Sequence, residues 1–248
     1  IFVLKARLQN GTILGPKLLT VGPLISAPGG HPCFDFYSSD FCLLVESAQA
    51  AREAVDRIAE RNPDFIKLVL EGGSAELGAL PRLSESIARA TAGAAAENGL
   101  GLVVHVSSEQ DLMDAIEAGA AVIAHVPADA PLSDAAIAAL RSADIPVIST
   151  LAVYEAFDRL LTTPEWVEAE QVQASLPIET WEQLRDPALR ERIRNEPYVP
   201  AFSSWAGYTR DNLQRLHAAG VRILAGTDAG EFAVVHGPSI HRELELLV

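Results

Sequence analysis

Four side chains able to do chemistry stand within or just after apolar runs. Lys67 lies in Phe65-Ile66-Lys67-Leu68, His105 in Val103-Val104-His105, His125 in Ile123-Ala124-His125, and Asp228 after Gly226-Thr227. Burying a lone ammonium or carboxylate is costly unless the charge is paired. Two neutral imidazoles and a carboxylate are good ligands for Zn²⁺, so a shared cation is one solution. The plainer account is that each histidine is hydrogen-bonded within a core, and that Lys67 pairs with Asp228. Four such residues at four equivalent strand ends favour the shared cation.

Other candidates flank these four. His31 lies in a glycine-rich loop and is expected at the same rim as a substrate contact. Tyr154, just after a strand end, could donate a hydrogen bond to substrate or simply pack. His236 follows the last apolar run and could touch substrate or hold its loop. His217 and His241 fall on helical stretches and read as structural or surface residues. Cys33 and Cys42 form C-x₈-C, which is not a usual zinc-ligand spacing. Two cysteines say little about redox compartment.

The elements that must position these residues alternate. Apolar runs recur at 17–22, 65–70, 100–106, 121–126, 145–151 and 222–226. They are nearly continuous in hydrophobicity, as in strands buried on both faces of a parallel sheet. Between them, Ala51, Ala54, Val55, Ile58 and Ala59 follow helical spacing. Ser108 and Asp111 predict a capping box, and Gly119 a helix stop. The repeat predicts an α/β fold with right-handed crossovers. At ~250 residues for a closed (β/α)₈ TIM barrel, the chain reads as about six of eight βα units, residues 1–10 being a helix after a strand upstream of Ile1. A doubly wound sheet is the alternative, lowered by the lack of a GxGxxG after any strand. One stretch, about 154–208, holds no strand and carries Trp166, Trp181 and Trp205. It is expected to be a helical insertion in a partial barrel domain covering 1–248, either a lid over substrate or a packing surface.

Composition narrows the partners. The net charge of −14 disfavours nucleic acid. No apolar run reaches the ~18 residues of a membrane span. The 49% apolar content of 248 residues supports a substantial core. No targeting segment is visible at Ile1, and localisation and self-association stay open.

The pattern of His105, His125 and Gly226-Thr227-Asp228-Ala229-Gly230 resembles the amidohydrolase superfamily. The likeness is greatest to its imidazolonepropionase-like and Xaa-Pro or Xaa-Arg dipeptidase-like branch. Gly22-Pro23, Gly29-Gly30-His31, Phe65-Ile66-Lys67-Leu68 and His236-Gly237-Pro238-Ser239 fit it, over nearly the whole chain. The resemblance implies a metal-dependent hydrolase cleaving an amide bond of a dipeptide or N-acyl amino acid with a metal-activated hydroxide. It implies one or two divalent ions, Zn²⁺ in the first place, bridged by carboxylated Lys67. His105 and His125 would be ligands, and Asp228 both ligand and proton carrier. Capture of CO₂ needs a neutral amine, which burial in an apolar strand favours. The family's strand-one His-x-His has no counterpart in these residues: either it lies upstream of Ile1, or the chain does not hold a complete binuclear site. The residues alone leave two other readings open: a Schiff-base barrel lyase using Lys67, and a non-catalytic barrel fragment.

Overall fold

The computed structural model describes residues 1–33, 41–75 and 78–248, and in it short parallel strands alternate with amphipathic helices. The chain divides into two units, Ile1–Ala124 with Ser133–Pro146, and His125–Leu132 with Val147–Val248.

The first unit carries β1 (Leu24–Ser26), β2 (Cys42–Leu44), β3 (Phe65–Leu70), a small hairpin of β4 (Gly73–Ser74) and β5 (Gly78–Ala79), then β6 (Gly101–Val106) and β7 (Val122–Ala124). Side by side in the order β2-β1-β3-β6-β7, the long strands and their short neighbours are all parallel. Ile66, Leu68 and Leu70 of β3 and Val104 and Val106 of β6 are fully buried. These five share one face of the sheet, and Val69 and Val103 are buried on the other, so the runs read as unbroken hydrophobes. The covering helices start where a serine accepts an orphan backbone N–H. Ser47 caps Ala48–Ala59, Ser84 caps Glu85–Glu97, and Ser108 forms a capping box with Asp111 on Glu109–Ala118. Each such cap contributes ~1 kcal/mol. The last of these helices stops at Gly119, whose φ of 91° lies in the left-handed region.

In the second unit, β8 (Val147–Ile148) pairs in parallel with β9 (Ile223–Leu224). The turn after β9 passes so close to β8 that a Cβ on Gly226 would sit 2.3 Å from Cγ2 of Ile148. Glycine is required there by approach, not by φ. Helices Leu151–Thr162, Ile178–Arg185, Pro187–Arg194 and Val199–Ala218 fill the stretch between β8 and β9. Phe157, Leu160, Val167, Trp181, Leu184, Ile193 and Val199 form their core. Trp181 Nε1 donates to the Val167 carbonyl at 2.9 Å, so the indole N–H is not stranded.

One expectation needs correction, and two features were not anticipated. Residues 17–22 are not a strand. The Thr20 carbonyl accepts from Asp64 and Phe65 N–H, and Thr20 N–H donates to Asp64 Oδ2, so the segment is tied to the turn before β3. Gly22 then turns at φ 73° and Pro23 has no N–H, so the strand begins only at Leu24. The parallel strand at Cys42–Leu44 was not foreseen. Nor was the bond that precedes it: Cys33 and Cys42 are joined as a disulfide, with Cα atoms 5.9 Å apart.

Candidate functional site

In the first unit, register puts Lys67 and His105 on one face of the sheet. Lys67 is opposite Val103 and Val69 opposite His105, and residues two apart on a strand share a face. Both side chains are half-buried. His31 reaches the same place from the loop after β1, its ring stacked on His105 at 4.9 Å between centroids. That loop is fixed by the Ser26 hydroxyl, which donates to the His31 carbonyl at 2.7 Å, and by the Cys33–Cys42 bond. Burial, with the positive fields of Lys67 and His31, holds the His105 imidazole well below the usual histidine range. A neutral ring is the form able to act as a ligand.

Two neighbours of His105 escaped the sequence reading. Glu71 Oε2 lies 3.3 Å from His105 Nε2, and the Ser107 hydroxyl donates to the same carboxylate oxygen. Each stands one residue past a strand end, after Leu70 and Val106. The position was the available signal.

In the second unit, His125 and Asp228 come together. His125 Nδ1 shares a 2.7 Å hydrogen bond with Thr150 Oγ1, and its Nε2 lies 3.8 Å from Asp228 Oδ2. His125 is buried, whereas the Asp228 side chain is half-exposed and reachable by water. A separation of 3.8 Å is too long for a good hydrogen bond. It is near the ~3.4 Å between two ligand atoms ~2.1 Å from one tetrahedral ion. Fixing one ring nitrogen so that the other faces outward is how metal-ligating histidines are oriented. The donor set thus fits a divalent cation. Among the described residues, no three His, Cys, Asp or Glu side chains gather as a ready-made metal site.

Backbone strain falls on both partners of His125. Thr150 has φ 48° and Asp228 φ 51°, left-handed conformations that cost of order 1–3 kcal/mol for residues with a Cβ. Such strain concentrates at functional sites. The segment after His125 is held by Asn212, which is fully buried. Its amide donates to the Pro127 and Ala130 carbonyls at 3.0 and 2.8 Å, and its oxygen accepts from Leu132 N–H at 2.8 Å. Glu231, beside Asp228, is raised by burial and by the Asp228 charge.

The remaining candidates are scattered. Tyr154 is buried among Ala128, Ala201 and Trp205. His236 is exposed in the loop before the C-terminal helix, and His217 is exposed on its own helix. His241 lines a cavity of ~140 Å³ with Arg159, Trp166 and Arg242.

A parallel α/β chain with polar groups at its strand ends defines a class: part of a (β/α)₈ barrel. Solved structures say which barrels it is like. It is similar to a Xaa-Pro dipeptidase with bound methionine in the active site (TM-score 0.69, 19% identity, 99% of this chain and 55% of that one). It is similar to the ochratoxinase of A. niger (0.72, 19%, 100% and 53%) and to bottromycin amidohydrolase (0.69, 20%, 99% and 54%). At these identities the likeness shows the fold. The chain spans about half the length of these solved structures. No family model and no curated protein matches the sequence.

Proposed function

We propose that this chain is part of a metal-dependent hydrolase that cleaves an amide bond in a dipeptide or N-acyl amino acid. The observation that carries the reading is the His125–Asp228 pair, with Nδ1 of the ring secured by Thr150 and Nε2 turned to the carboxylate. The fold it shares with a dipeptidase and an amidohydrolase supports the substrate class.

In the second unit His125 and Asp228 would hold one divalent cation, Zn²⁺ in the first place; in the first unit, neutral His105 and Lys67 as its carbamate are candidate donors on their own sheet face. A cation bound there polarises a carbonyl and acidifies water. The protein's own groups do the rest. Lys67 Nζ, as the free amine, adds to CO₂ and loses a proton, giving an anionic oxygen donor. Asp228 Oδ2 takes the proton of the attacking water and returns it to the leaving nitrogen. His31, stacked on His105, is placed to touch substrate, and Glu71 fixes the His105 ring. His236 is exposed enough to meet substrate; Tyr154, buried among apolar groups, would act on it only through the wall it helps to build.

The test is hydrolysis of a dipeptide and N-acyl amino acid panel before and after chelation. Turnover should vanish with chelator, return with Zn²⁺, and be lost in Asp228→Asn while the fold persists. Chelator-resistant turnover, or an active Asp228→Asn protein, would refute the reading. Borohydride trapping of a keto acid on Lys67 would instead favour Schiff-base chemistry.

A further inference from the structure

Glu243 is a fully buried carboxylate on the C-terminal helix Pro238–Leu246, and the reaction above gives it no part. Its partners are all donors. Oε1 accepts from the Ser149 hydroxyl and, at 3.0 Å, from Leu151 N–H; Oε2 accepts from Ala152 N–H at 2.8 Å. These backbone groups begin the helix Leu151–Thr162.

The first N–H groups of a helix have no partner within it, and the residue before the helix usually supplies one through its side chain. Thr150 occupies that position and is a residue type suited to the task. It makes no such bond. Its backbone is left-handed and its hydroxyl is spent on His125 Nδ1 at 2.7 Å. Glu243, more than ninety positions further on, does the capping instead. A carboxylate suits the positive end of a helix dipole. The neighbouring Arg242 pins the same two helices together, with Nε and Nη2 on the carboxylate of Glu155 at 2.6 and 2.9 Å.

We propose that Glu243 is a positioning residue for His125: by capping the helix from outside, it holds Thr150 in its strained conformation and leaves the threonine hydroxyl to orient the imidazole. The importance of this for turnover rests on His125 being a cation ligand, as proposed above. The positional claim does not.

The experiment is long-range ¹H–¹⁵N NMR of the histidine rings at pH ~8.5, above the ordinary histidine range, with His125→Asn used to assign the His125 signals. The wild-type protein should show His125 as one fixed neutral tautomer. Glu243→Ala and Thr150→Val should each convert it to a tautomer average, and the double variant should go no further. Where Glu243→Ala does not fold, Glu243→Gln serves, because it keeps the size and loses at least one cap acceptor. A folded Glu243 variant with an unchanged His125 signal overturns the proposal, as does a wild-type His125 that already averages. Zn²⁺ titration by calorimetry is read separately. A roughly tenfold weaker affinity in Glu243→Gln is expected. Wild-type protein that binds no Zn²⁺ yet keeps the tautomer coupling would sink the hydrolase reading and leave the positioning role standing.

Discussion

The Thr150 hydroxyl holds one edge of the His125 imidazole: Nδ1 and Thr150 Oγ1 are 2.7 Å apart, and Nε2 faces Asp228 Oδ2 at 3.8 Å. Outer hydrogen bonds of this kind typically change metal affinity 10–100-fold when removed. Thr150→Val keeps the shape and deletes the bond. Its Zn²⁺ affinity should fall within that range with little change in the circular dichroism spectrum. An unaltered affinity would mean that Thr150 does not orient the ring.

Asn212 satisfies three backbone groups of the segment that follows His125. Asn212→Ala leaves those groups buried and unpaired, at ~1–3 kcal/mol for each group that water fails to reach. Thermal unfolding should move down by several degrees at least. A melting temperature equal to that of the wild type would show that the segment is held by something else.

The Cys33–Cys42 bond ties the chain two residues past His31 to the first residue of β2. The short loop it closes contributes ~2–3 kcal/mol through restriction of the unfolded chain. The native protein should present no free thiol and two after reduction in denaturant, and the Cys33→Ser/Cys42→Ser protein should have a lower denaturation midpoint. Two titratable thiols in the oxidised native protein would exclude the bond.

Two carboxylates give opposite pH dependences. Burial pushes Asp64 up, but the bond from Lys5, with Thr20, outweighs it and the net shift is downward. Its contribution is therefore present above the unfolded value of ~3.9 and lost as pH falls through the lower folded value. Burial raises Glu243 despite its bonds to Ser149, Ala152 and Leu151. The native state then binds that proton more tightly. The contribution is full below the unfolded value of ~4.3 and declines as pH rises through the folded value. The stability of the wild type relative to Glu243→Gln should accordingly decrease from acid pH upward in denaturant titrations. A difference that is constant with pH would contradict the assignment.

The sequence is legible where chemistry and periodicity coincide. Lys67 and His105 could be read because a charge or imidazole inside an apolar run has no local reason to be there. Ser108 with Asp111 and Gly119 declared a helix in full, since caps are local signals. The short strands β1 and β2 were lost because three residues are too few for a period, and the more apolar 17–22 run masked the true start at Leu24. Thr150, Asn212 and Glu243 were illegible for a different reason. Each works through partners far away in the chain, and a hydrophilic residue gives no sign on its own that it will be buried. The Cys33–Cys42 pairing was likewise a matter of proximity, which spacing alone does not reveal.

The central claim is that His125 and Asp228 are ligands of one divalent cation, and calorimetric titration of metal-free protein with Zn²⁺ tests it most directly. The account predicts stoichiometric binding by the wild type and a loss of at least tenfold in affinity in both His125→Asn and Asp228→Asn, with folding intact. Wild-type affinity retained in either folded variant would contradict it.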